Sequence, residues 1–191
     1  MSLLAVQGGA TGTGTVTLLA PVTNTDRTIT LPDATGTVLT TATAGVPING
    51  PAFSAYSSTP QTISASTYTK IIFGTEEYDT NSNFASSTFT PTVAGYYQIN
   101  IGAGPYGSGE PSRAILLCYK NGSNYKRLQD SATPTSSAFV NAFSGSCLVY
   151  FNGSTDYVEA YIFISVKSGT PIVDSSTGYT WFQAAMVRSA V

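Results

Sequence analysis

The run "DYVEAYIFISV", residues 156 to 166, alternates without a break. Val158, Ala160, Ile162, Ile164 and Val166 are uniformly aliphatic, while Tyr157, Glu159, Tyr161, Phe163 and Ser165 between them are mostly aromatic or polar. A period of two sends successive side chains to opposite faces of an extended chain, so this segment reads as a strand with one face in a core. Its other face is too aromatic for ordinary solvent exposure. The same pattern recurs in "GYYQINI", where Tyr97, Ile99 and Ile101 oppose Tyr96, Gln98 and Asn100, and in "AILLCYK", which is apolar on both sides. Two-sided burial in an antiparallel sandwich implies something packed outside the sheet.

Strands are predicted at about 52–57, 68–74, 94–104, 114–120, 125–129, 139–151, 156–166 and 179–189, with no 3.6-residue pattern between them. The predicted class is all-β. Asn121-Gly122 and Asn152-Gly153 fall between strands and carry the strongest short hairpin signal. They alternate with the longer connections 104–113, 130–138 and 167–178. If successive strands run up and down, the long connections gather at one end and the tight turns at the other. The last strand then runs back to the tight-turn end, where the preceding segment attaches.

That preceding segment differs in kind. Every aromatic residue lies at or beyond Phe53, and residues 1–50 hold short Thr/Val/Leu fragments cut by Gly and Pro. Such a stretch buries too little alone to offset its ordering entropy. The predicted organisation is a stem or attachment segment over 1–50 and one β domain over 51–191.

Charged residues make up 9% of the chain, against about a quarter in a typical soluble domain, so solubility rests on hydroxyls and amides. The net charge of -2, with no basic cluster, argues against nucleic acid as a partner. No apolar run approaches the ~20 residues of a membrane-spanning helix, so no membrane insertion is expected. "MSLLAVQGG" lacks the basic start and apolar length of a signal peptide, which points to synthesis and release in a cytoplasm. There is no histidine, which removes His-based triads and the usual zinc sites. Cys118 and Cys147 each sit in an apolar run and read as small buried hydrophobes, in preference to a disulfide or a reactive thiol.

Sharper chemical readings are weak. Asp79-x-Asn81-x-Asn83 echoes the start of a calcium loop, but Phe84 stands where Gly is needed and Thr90 where a bidentate Glu belongs. An Asx-rich turn is the better reading. "GATGTGTVT" is followed by no Lys and no helix, so it is not a phosphate loop. A paired-carboxylate glycosidase is not supported by any visible pairing. No cofactor, metal or catalytic residue is assigned, and the chain is read as non-enzymatic. Tyr106, Tyr179 and Trp181 have the chemistry to stack on sugars, although Trp181 falls in a strand and reads as core.

Taken in order, "IIFGTEEYDTNSNF", "TFTPTVAGYYQINIGA", "ILLCYKNG", "YFNGSTDYVEAYIF" and "YTWFQAAMVR" resemble the complement C-one-q and tumour-necrosis-factor-like jelly roll, in the version common in bacteriophage structural proteins. The resemblance covers about residues 52–189, with Ala184 standing where the family usually has Gly. "TVTLLAPVTNTDRTITLPDATGTVL", roughly residues 14–40, is similar to a short module of tailed-phage fibre and other virion proteins. These resemblances imply a homotrimeric, antiparallel jelly-roll head on a β-rich stem, with one sheet offered to sister subunits about a threefold axis. Tyr96, Tyr161 and Phe163 are the candidate trimer contacts. The implied role is virion attachment through residues 1–50 to other virion proteins, as a tail fibre or adhesin that binds a host surface glycan or protein. The alternative is a capsid head fibre or decoration protein. Tyr106, Glu110, Arg113, Asp130 and Asp174, in the three long connections, are the candidate receptor-binding residues.

Overall fold

The computed structural model describes residue 24 and residues 50–107, 111–132 and 142–190. The predicted stem, residues 24 and 50 apart, and the connection 133–141 lie outside them. The described residues contain fourteen strands and no helix. They are β1 (Ala52–Tyr56), β2 (Gln61–Thr62), β3 (Thr69–Lys70), β4 (Thr75–Asp79), β5 (Phe84–Ala85), β6 (Thr88–Phe89), β7 (Gly95–Ala103), β8 (Pro105–Gly107), β9 (Pro111–Lys120), β10 (Ser123–Ala132), β11 (Phe143–Phe151), β12 (Val158–Val166), β13 (Pro171–Val173) and β14 (Trp181–Ser189).

Two antiparallel sheets form a jelly-roll sandwich. The first has the order β11-β7-β14-β1-β4, and the second β10-β9-β12-β6-β5, with β3 also paired to β12. The alternating residues read from the sequence fill the space between them. Tyr97, Ile99 and Ile101 from β7, Ala114, Leu116 and Cys118 from β9, and Val158, Ala160, Ile162 and Ile164 from β12 all belong to the core. Full burial of each large apolar side chain there contributes about 1.5–3 kcal/mol.

The rings do the joining. Phe53 of β1 stacks on Phe84 of β5 with centroids 4.4 Å apart, lies 4.6 Å from Phe89 of β6, and meets Phe182 of β14 edge-on at 4.9 Å. Phe89 in turn approaches Tyr97 and Phe151. Burial pushes the Tyr97 phenol up to about 12, and its hydroxyl donates to the Val93 carbonyl at 2.7 Å.

The long strands follow the alternating pattern, but the region between β1 and β7 does not. The strand predicted over 68–74 is regular only at Thr69–Lys70. Ile71 N donates to Ala160 O, and Ile71 and Phe73 then drop into the core while Ile72 faces out. Thr75–Asp79, read as part of a turn, instead pairs with β1 across a bulge between Ser54 and Ala55. The Asx turn follows it: Asp79 Oδ1 accepts from Asn81 N and Oδ2 from Phe84 N at 2.7 Å.

Two tight turns share one backbone shape. Asn121-Gly122 joins β9 to β10 with φ of 52° and 76°. Ser86-Ser87 joins β5 to β6 with φ of 50° and 58°, the same left-handed pair without a glycine. The side chain at 87 has a role of its own: the buried Ser87 hydroxyl accepts from Phe73 N at 2.8 Å. Ser86 is exposed. Ser86→Gly is therefore expected to stabilise the domain by about 1 kcal/mol through relief of the left-handed strain. Ser87→Gly is expected to be destabilising, because an orphaned buried N–H costs about 1–3 kcal/mol. Equilibrium denaturation of the two variants checks the opposite signs.

Candidate functional site

The register fixes the two ends of the sandwich. Ala103 pairs with Phe143, Gly102 with Trp181, and Arg113 with Ala132 and Ser165, so the connections after β7, β10 and β12 leave from one end. Gly95 pairs with Phe151 and Ser189, and Lys120 with Ser123 and Val158, which puts the Asn121-Gly122 hairpin and the connection 152–157 at the other. The Asn152-Gly153 connection is no hairpin, because β11 and β12 belong to different sheets and it crosses between them. Residue 50 enters on that tight-turn half, where Met186 N donates to Pro51 O.

The long-connection end is not loose loop. β2, β13 and β8 form a third small sheet across it, in that order. Thr180, fully buried, ties this cap to the sandwich: its hydroxyl accepts from Gly104 N at 3.1 Å and its carbonyl from Ser57 N at 3.0 Å. The backbone of Tyr106 pairs with Ile172 in this cap. Asp174 follows β13, its N–H donating to Gly104 O and its Oδ1 accepting from Ser175 N. Tyr179 stands beside it, 42% exposed.

Arg113 and Asp130 lie apart from that pair, on the outer face of the second sheet. The Arg113 guanidinium donates through Nε and Nη2 to the two Asp130 oxygens at 2.9 and 2.7 Å, and Arg127 adds a third bond at 2.6 Å. The Arg113 bond, with smaller help from Arg127, holds the Asp130 carboxyl below its ordinary range. Both candidate charges thus satisfy each other. Glu110 lies outside the described residues.

The three candidate trimer residues do not share a surface. Tyr96 is on the outer face of the first sheet, whereas Tyr161 and Phe163 are on the outer face of the second, because Tyr97 and Ile162 take the core positions beside them. Tyr161 stacks on Tyr119 at 3.9 Å, and Phe163 meets Tyr68 at 5.1 Å. The register sets Tyr161 beside Leu117 and Phe163 beside Ile115, both buried within the single chain. The aromatic face of "DYVEAYIFISV" therefore packs largely against its own chain. Trp181 also departs from the core reading: its indole lies over Gly102, where a Cβ would collide with it, on the outer face of the first sheet.

Tyr96 has different neighbours. Its ring meets Tyr150 at 5.3 Å, and with Leu148 and Val187 these residues line a shallow open groove. Leu148 and Val187 are each 51% exposed. Sequence reasoning passed over all but Tyr96. The available signal was parity: Leu148 and Tyr150 alternate with the core residues Val149 and Phe151.

At the tight-turn end, one carboxylate joins two turns. Asp156 Oδ1 accepts from Asn121 Nδ2 at 2.8 Å, and Oδ2 from Asn152 N and from Lys120 Nζ at 3.0 Å. The Asn121 bond above all holds this carboxyl below the ordinary range, against the opposing push of burial. A folded-state value below the unfolded one gives stability that is present above the ordinary carboxylate range and lost as pH falls through the depressed value. Asp156→Asn is expected to flatten that acid limb, with no change in slope above neutrality, as measured by denaturation midpoints across pH.

By its two-sheet topology the chain is a jelly roll of the complement C-one-q and tumour-necrosis-factor type. It is similar to murine APRIL at pH 8.0, with 8% identity over 73% of this chain and 100% of that chain and a TM-score of 0.54. It also aligns with the globular domain of zebrafish complement 1qA at 14% identity, over 73% of this chain and 99% of that one, with a TM-score of 0.48. No protein-family model matches the sequence, and no curated protein matches it significantly.

Proposed function

We propose that this chain is a non-catalytic structural protein of a tailed-phage virion, a trimeric tail fibre or adhesin whose head presents the long-connection end to the host surface. The observation that carries the self-association is the groove of Tyr96, Leu148, Tyr150 and Val187, a largely apolar face with Arg188 and Ser189 beside it, which stays open among the described residues. A chain with so few charges is poorly served by leaving it in water. Three copies meeting there, with obligate contacts on the order of 2,000 Å² or more, cover it. Residues 1–50 dock on other virion proteins, a reading supported by the likeness of residues 14–40 to phage fibre modules. In a trimer the cap around Tyr106, Asp174 and Tyr179 is repeated three times, so weak single contacts to a host glycan or protein add through effective concentration.

The capsid head fibre or decoration reading is favoured by one observation. Arg113 and Asp130 are engaged with each other, which leaves fewer free groups for a receptor at that end.

Leu148→Asp or Val187→Asp is expected to give folded monomers by light scattering, whereas Phe163→Asp, on the opposite outer face, leaves three chains together. A stable trimer in both groove variants removes this face from the interface. Tyr106→Ala combined with Asp174→Ala in assembled particles is expected to lower adsorption to host cells about ten-fold or more. Unchanged adsorption with intact particles moves the assignment to decoration.

A further inference from the structure

Cys118 and Cys147 come from opposite sheets. Cys118 is fully buried on the core face of β9, and Cys147, partly exposed, packs against the same core from β11. Stacked sheets are ordinarily about 10 Å apart, too far for a disulfide, whose Cα atoms lie about 4.4–6.8 Å apart. At this edge the sheets converge. Gly145 of β11 admits Leu128 of β10 so closely that a Cβ there would stand 2.6 Å from the Leu128 Cβ. Gln129 Oε1 accepts from Ser144 N at 2.9 Å, and the Tyr125 hydroxyl reaches Leu148 O. Cys147 lies two residues beyond Gly145, and Cys118 is the cross-strand neighbour of Lys126.

We infer that Cys118 and Cys147 are a latent cross-sheet disulfide, formed by thiol exchange once the chain meets a low-molecular-weight disulfide such as glutathione disulfide. The thiols are already differentiated. The neighbouring Cys147 thiol and burial push Cys118 up, while the neighbouring Cys118 thiol, helped by the Lys126 charge, pulls Cys147 down. Cys147, which is partly exposed and can be reached from solvent, is therefore the attacking thiolate, and the buried Cys118 is the resolving thiol.

The Cys147 thiolate bonds to one sulfur of glutathione disulfide and expels the other half as a thiolate, which takes up a proton. Cys118 then releases its proton to solvent, attacks Cys147 Sγ and breaks the mixed disulfide, and the second glutathione leaves and is protonated. Two protein thiols are oxidised, and one glutathione disulfide is reduced to two glutathiones. The buried, protonated Cys118 makes the second step the slow one. The product staples the two sheets at their convergent edge.

The full chain, purified with reductant, is transferred to glutathione disulfide and followed by intact mass and thiol alkylation. The expected product has lost two hydrogens and both alkylatable thiols and carries no glutathione. Cys118→Ser is expected to stop as a stable single glutathione adduct, and Cys147→Ser to remain unmodified. Oxidised wild type is expected to resist proteolysis about ten-fold longer than the reduced protein. Retention of glutathione on the wild type, disulfide-linked dimers, or no reaction while the protein is folded overturns the inference. If Cys118→Ser fails to fold, Cys118→Ala carries the same adduct test.

Discussion

The sandwich depends on a short column of aromatic rings that crosses between its sheets. Phe53 is the hub, in contact with Phe84 and Phe89 from the second sheet and with Phe182 from its own. Phe84 and Phe89 belong to strands of two residues each, which have almost no ladder of their own. Their place in the sheet is set by the rings they insert and by the Ser87 hydroxyl that holds Phe73 N. Packing comes first here, and the regular hydrogen bonding of β5 and β6 follows from it.

This ordering explains what was legible in the sequence. The long strands β7, β9, β11, β12 and β14 declare themselves because their residues alternate over enough positions to define a face. Asn121-Gly122 declares its turn because glycine is the usual answer to a left-handed backbone. Ser86-Ser87 makes the same turn with residues that carry no such signal, so the neighbouring strands stayed hidden. Thr75–Asp79 was obscured by its own composition, with Glu76, Glu77 and Asp79 on an edge strand.

The candidate surfaces show a second limit. Periodicity tells that Tyr96 and Tyr161 both point away from the core, but not that they point in opposite directions. That depends on which sheet each strand joins, a matter of strand order rather than of local pattern. Tyr161 finds Tyr119 and Phe163 finds Tyr68 in the same chain, whereas Tyr96 meets Tyr150 beside a groove that stays open among the described residues. Likewise Arg113 and Asp130, isolated charges in the sequence, become partners once β9 and β10 are paired.

The convergence of β10 and β11 has a bearing on solubility. These strands, ten and nine residues long, are the terminal strands of their sheets and would each offer a long row of unpaired backbone groups. At the opposite margins stand only β4, of five residues, and β5, of two. Proteins commonly guard exposed margins with lysine and other charges against runaway strand addition. This chain has few to spend. Three of them, Lys126, Arg127 and Asp130, stand on β10, and the two longest margins turn toward one another where Gly145 lets them approach, so the protection against fibrillar growth is written into shape as much as into charge.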